Sequence, residues 1–73
     1  MQDELVERIS AQIPNAKVAV TLDGNRATIE VVSAHFEGMG RVQKQQAVYA
    51  CIQDYIADGR LHAVTIKAEV PAG

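Results

Sequence analysis

The stretch AKVAVTLDGNRATIEV, running from Ala16 to Val31, decides the fold. Val18, Val20 and Leu22 alternate with Lys17, Ala19 and Thr21, a period of two that puts aliphatic side chains on one face of a strand and small or polar ones on the other. Asp23-Gly24-Asn25 offers residues that tolerate positive φ, and the alternation then resumes with Ala27, Ile29 and Val31 opposed by Thr28 and Glu30. Two one-sided strands joined so tightly predict an antiparallel hairpin with one apolar face in need of cover.

The flanking segments supply that cover. From Asp3 to Ile13 the apolar residues Leu5, Val6, Ile9 and Ile13 recur at helical spacing, with Asp3, Glu4 and Glu7 early, where the helix dipole favours anions. Pro14 and Asn15 end this helix. Downstream of Ser33, the segment holding Phe36, Gly38 and Gly40 reads as a loop or single turn pinned by the phenyl ring. A second helix is expected from Arg41 to Asp58. Its apolar stripe is Val42, Val48, Tyr49, Ile52, Tyr55 and Ile56, and Gly59 is placed for a left-handed cap. His62 to Val70 alternates again, Val64, Ile66, Ala68 and Val70 against Thr65, Lys67 and Glu69, until Pro71 stops the strand. The order αββαβ makes an α+β domain of two layers. Both helices cover the apolar face of a three-stranded mixed sheet whose other face meets water.

At 73 residues the chain is read as one domain, 1–73, too small for a cleft between lobes, so large multi-substrate enzymes are excluded. With 48% hydrophobic residues and only Phe36, Tyr49 and Tyr55 aromatic, the core must be aliphatic. A formal charge of -2 is the opposite of the broad positive field of a dedicated nucleic-acid binder. Cys51 is the single cysteine and cannot form an intramolecular disulfide. Nothing reads as a signal peptide, and no apolar run approaches the roughly 20 residues that span a bilayer. A cytosolic interaction module, not an enzyme, is the expectation.

The side chains agree. His35, Cys51 and His62 fall into no zinc-binding spacing, there is no phosphate-binding glycine loop, and Gly38-Met39-Gly40 is too short for a dinucleotide fingerprint. Neither Ser10 nor Ser33 sits in a nucleophile elbow, and no carboxylates pair for acid–base work. By strand parity His62 shares a side with Val64 and Ile66: either a rim histidine bonded to a backbone carbonyl or an accessible ligand. Cys51, between Val48 and Tyr55, reads as a small buried hydrophobe, and His35 as a solvated side chain. Arg41 and Lys44 share a face beside Gly38 and Gly40, a solvated helix face or one that touches phosphate or an acidic partner.

Phe36-Glu37-Gly38-Met39, Arg41-Val42, Lys44-Gln45-Gln46, Val48-Tyr49, Tyr55-Ile56-Ala57-Asp58 and Leu61-His62-Ala63-Val64-Thr65-Ile66-Lys67-Ala68 together closely resemble the BolA family. Within it the resemblance is to the IbaG (YrbA-like) branch, over about Val18 to Pro71. It implies a topology shared with type II KH folds and a cytoplasmic adaptor that partners a monothiol glutaredoxin. The pair would share a [2Fe-2S] cluster in iron–sulfur trafficking and iron homeostasis, with glutathione supplied by the partner and no cofactor on the chain alone. Such a chain would be a monomer or weak homodimer without membrane contact. The alternative implied is a DNA-binding transcriptional regulator of the stress response, in contact through Arg41, Lys44, Gly38 and Gly40. His62 matches the family histidine regarded as a cluster ligand, and imidazole in place of thiolate raises a cluster's potential.

Three differences accompany the resemblance. Family members commonly carry a second His or Cys in the loop between the first two strands, where Arg26 stands here, and guanidinium cannot ligate iron. Partner, glutathione or water then completes the coordination, or His35 or Cys51 substitutes, or clusters are held weakly; the first and last are preferred. Gly-Met-Gly-Arg also differs from the GXXG clamp of KH domains. An acidic-Trp pair is expected shortly after the final proline in the family, whereas the sequence here reads Pro71-Ala72-Gly73. Arg41 and Lys44 are expected from topology to lie near His62, where a basic face would receive a partner carrying an anionic cluster.

Overall fold

In the computed structural model, which describes residues 2–72, helix α1 (Gln2–Gln12) turns its apolar stripe inward, so Leu5 and Ile9 are fully buried. It stops before Pro14, and Asn15 takes up the reversal at φ 56°. Strands β1 (Lys17–Asp23) and β2 (Arg26–Val32) then pair antiparallel with Asp23 opposite Arg26. Of the residues between them only Gly24 has positive φ, 62°, the sign pattern of a II′ hairpin turn with glycine first.

Ser33 connects the two halves of the chain. Its buried hydroxyl donates to the Pro14 carbonyl at 2.7 Å and accepts from the His35 N–H at 3.1 Å, tying the end of α1 to the end of β2. The expected turn is a 3₁₀ helix, Ala34–Phe36, with Phe36 buried beneath it. Helix α2 (Arg41–Ala57) follows, its start closed by Gln43 Oε1 accepting the Gly40 N–H at 2.9 Å. Gly59, at φ 84°, ends it as expected.

Strand β3 (Ala63–Glu69) joins the sheet parallel to β2. The order β1-β2-β3 is therefore mixed, with both helices on one face. Ala27, Ile29 and Val31 of the central strand are buried, whereas Val64, Ile66 and Ala68 of β3 are only half-buried. The opposite face of all three strands carries mainly polar residues.

The stripe read for α2 needs correcting. Val48, Cys51, Ile52 and Tyr55 face the core, but Val42 is 66% and Tyr49 41% exposed. The buried four recur at i, i+3, i+4, i+7; Val42 and Tyr49 lie seven apart on the neighbouring arc, which a three-stranded sheet is too narrow to cover. His62 likewise precedes β3 and does not open it.

Tyr55 joins the helices at their other contact. Its hydroxyl donates to Glu4 Oε2 at 2.7 Å, and the guanidiniums of Arg60 and Arg8 stand 4.0 and 4.8 Å from its ring centroid. The hydrogen bond holds the Glu4 carboxyl below its ordinary value, with Arg60 and Arg8 adding to it, and pushes the Tyr55 phenol up. A depressed carboxyl contributes its stability above its unfolded value and loses it as pH falls through the folded one. We therefore expect Glu4→Gln to flatten the acid limb of the melting temperature plotted against pH; an unchanged limb would show that Glu4 plays no part.

Candidate functional site

His62 is exposed, and no side-chain hydrogen bond engages its imidazole among the described residues. Its backbone is fixed. The His62 N–H donates to the Asn25 carbonyl at 2.9 Å, and the Ala63 N–H reaches the same oxygen at 3.5 Å. The residue just before β3 is thus held against the hairpin tip, with its ring outside the core.

The parallel register sets Arg26 beside Ala63, next to His62. Arg26 is exposed and makes no ion pair among the described residues. With Thr21, Asp23, Thr28, Ala63 and Thr65 it lines a shallow depression of about 320 Å³ on the open face of the sheet. The hairpin position noted in the sequence therefore lies at the same end of the sheet as the histidine's backbone, and it carries a guanidinium instead of a His or Cys.

Neither substitute ligand joins them. His35 lies past the far end of β2, roughly 20 Å away along a strand that rises about 3.3 Å per residue. Cys51 is buried, donates its Sγ–H to the Ala47 carbonyl at 3.3 Å, and has its thiol pKa pushed up by burial, so it is the small core residue the sequence indicated.

Arg41 and Lys44 are not near His62, contrary to expectation. A parallel β2–β3 pair requires the crossover helix to run back along the sheet, so α2 begins at the Val32 end and finishes at the hairpin end. There the Leu61 N–H bonds the Tyr55 carbonyl at 3.1 Å, just before His62. At about 1.5 Å per residue, the helix separates Arg41 from that end by roughly 24 Å. Arg41, Lys44, Gly38 and Gly40 form a separate surface, with Gly38 at φ 82° and Gly40 in an extended conformation. A third feature escaped the sequence reading: an open apolar groove of about 250 Å³ between α2 and β3, lined by Val42, Gln45, Gln46, Tyr49, Val64 and Ile66.

Among the described residues no three His, Cys, Asp or Glu side chains converge as a metal site. The chain by itself does not fit an iron–sulfur cluster. What fits is narrower: one accessible imidazole as a single ligand in a site whose remaining ligands come from elsewhere.

Two helices on one face of a sheet, a tight hairpin and a parallel third strand define a BolA-like domain, and the BolA-like protein model matches residues 6–73. The chain belongs to that family. It falls in the IbaG branch, being 44% identical over 72 residues to the acid stress protein IbaG of Escherichia coli, a span of 99% of this chain and 81% of that protein. A protein of Acinetobacter guillouiae encoded in its rpoN-murA intergenic region is 44% identical over 66 residues, 90% of this chain and 80% of that one. Among solved structures, BolA1 of Arabidopsis thaliana superposes with a TM-score of 0.84 at 22% identity, over 96% of this chain and 90% of that one. The BolA domain of SufE1 from the same plant gives 0.85 at 22%, over 96% and 91%. At such identities the two attest the fold. No helix among the described residues is long and apolar enough to cross a membrane.

Proposed function

We propose that this chain is a non-catalytic adaptor that docks a monothiol glutaredoxin and offers His62 as one ligand to a [2Fe-2S] cluster shared between the two. The observation that supports this reading is an imidazole outside the core on a backbone pinned to the hairpin tip, so that binding costs little ordering of the chain. When bound, the cluster would supply electron-transfer or iron–sulfur delivery chemistry. This chain's part is to present the imidazole and, through Arg26 at the same end of the sheet, a permanent positive charge toward an anionic group. With guanidinium in the second position, the shared cluster is expected to be labile, and the partner and its glutathione complete the coordination.

The test is reconstitution of the pair with iron, sulfide and glutathione, followed by visible absorption and circular dichroism. The wild-type mixture should differ from glutaredoxin alone, and His62→Ala should return the glutaredoxin spectrum while the domain's own melting changes by no more than about 0.5 kcal/mol, as at other exposed positions. Arg26→Cys should lengthen the lifetime of the shared cluster, because a thiolate then stands at the hairpin end of the sheet, beside the Asn25 carbonyl that holds the His62 N–H. Identical spectra for the wild-type and His62→Ala mixtures would remove the ligand role. Regulation through DNA would use the separate surface of Arg41 and Lys44, and so would be untouched by His62→Ala.

A further inference from the structure

The sheet has two edges, and among the described residues a side chain caps only one of them, at a single carbonyl. In the hairpin, Asp23 and Arg26 form the closing pair, so Val18, Val20 and Leu22 aim their backbone groups away from β2. Gln2 of α1 meets them there: its Nε2 donates to the Val20 carbonyl at 2.7 Å, capping the β1 edge at its centre. At β3 the Ala63 N–H bonds Asn25 and the Glu69 carbonyl accepts from Ser33, so the odd-numbered residues face β2. Val64, Ile66 and Ala68 therefore point both N–H and C=O outward, and no side chain among the described residues bonds to them. Such an edge is a template for another strand.

We infer that β3 pairs antiparallel with β3 of a second copy of this chain, about a two-fold axis through Ala68. Parity and charge select that register. Opposed residues in an antiparallel pair point to the same face, so the axis must pass through a residue that faces itself. An axis at Lys67 sets Lys67 on Lys67, and one at Glu69 sets Glu69 on Glu69; both are repulsive. An axis at Ile66 opposes Lys67 to Thr65 and leaves the charges unmatched. With the axis at Ala68, Lys67 faces Glu69 of the second copy and Glu69 faces its Lys67. Ile66 meets Val70 on the helix side, where Val70 is 42% exposed and Ile66, with Val64, already lines the apolar groove.

The backbone agrees with this choice. The outward-facing residues Ile66, Ala68 and Val70 are the ones that exchange hydrogen bonds in this register, while Pro71, which has no N–H, falls between bonding positions. The sheets of the two copies become one, and β3 of the second copy forms the outer wall of the α2–β3 groove. His62 lies beyond the ladder and stays accessible, so the dimer and the proposed metal-sharing role stand or fall separately.

Sedimentation equilibrium from micromolar to millimolar concentration should show a reversible monomer–dimer equilibrium for the wild type. Ala68→Pro removes an outward N–H without breaking the β2 ladder and should leave a folded monomer. Lys67→Glu and Glu69→Lys, separately, should each weaken association roughly tenfold, and the double exchange should restore it. Thermal melts at low concentration establish that each variant's monomer is folded, Lys67→Glu in particular because Glu30 lies across from it on β2. A wild type that is monomeric throughout overturns the inference. So does a dimer indifferent to Ala68→Pro, or charge reversals that the double exchange fails to rescue.

Discussion

Phe36→Ala is expected to lower the unfolding free energy by about 3–5 kcal/mol, the range for truncating a fully buried aromatic. A chain of this length has only roughly 4–11 kcal/mol to lose, so much of the population should be unfolded or nearly so at physiological temperature. The size of the effect follows from where the ring sits. Phe36 is 1% exposed, and the main chain around it is engaged on both sides: its N–H donates to the Ser33 carbonyl at 3.2 Å and its carbonyl accepts from Met39 at 3.0 Å. The 3₁₀ turn carries the chain from the end of β2 to the start of α2, so a cavity beneath it loosens the crossover that aligns β3. Urea unfolding measures the loss. Val42→Ala on the same helix side is the control: at 66% exposure it should cost no more than about 0.5 kcal/mol, and equal losses for the two would contradict the packing described for α2.

Tyr55→Ala should be of similar size, about 3–5 kcal/mol, because a ring of comparable volume with 1% exposure is removed. Tyr55→Phe separates the contributions. It keeps the ring under Arg60 and Arg8 but deletes the donor to Glu4, and because Glu4 is exposed and can turn to water the cost should be near the ordinary net worth of a hydrogen bond, about 0.5–1.5 kcal/mol. The local consequence matters for function. The Tyr55 carbonyl receives the Leu61 N–H, and the next residue is His62, whose N–H is bonded to Asn25. Amide exchange at Leu61 and His62 should therefore quicken in Tyr55→Ala beyond what global destabilisation produces, and stay near wild type in Tyr55→Phe. Uniform acceleration across the sheet would mean that Tyr55 supports the core without specifically holding the histidine's backbone.

Because the Tyr55 hydrogen bond holds the Glu4 carboxyl low, the fold is expected to lose a little stability as pH falls. The relative in Escherichia coli carries the name acid stress protein; in this chain the part-buried Glu4–Tyr55 hydrogen bond joins α1 to α2 and involves no residue of the sheet.

Much of this architecture is written in short-range patterns. Alternation from Lys17 to Val31 and from His62 to Val70 specified the strands, the last to within one residue at each end, Gly24 the hairpin turn and Gly59 the helix end, because side-chain direction and φ preference are properties of neighbouring residues. The same locality explains the errors. Helical period groups Val42 and Tyr49 with Val48 and Ile52, yet which part of that arc is buried depends on the width of the sheet beneath it. The structural role of Ser33 has no local signal because its partner, the Pro14 carbonyl, lies 19 positions away.

The candidate site divides along the same line. By itself the sequence determined that one histidine stands at the entry to the last strand, that a cation occupies the hairpin position, and that the core is aliphatic. Only the tertiary structure decided that the hairpin position and the histidine's backbone meet at one end of the sheet, that Arg41 and Lys44 belong to the other end of the domain, and that Gln2 caps a carbonyl of the β1 edge while no side chain among the described residues bonds the β3 edge. Register and crossover direction join residues far apart in the chain, and they are set by which pairing buries the most apolar surface across the whole domain, a quantity that no local window contains.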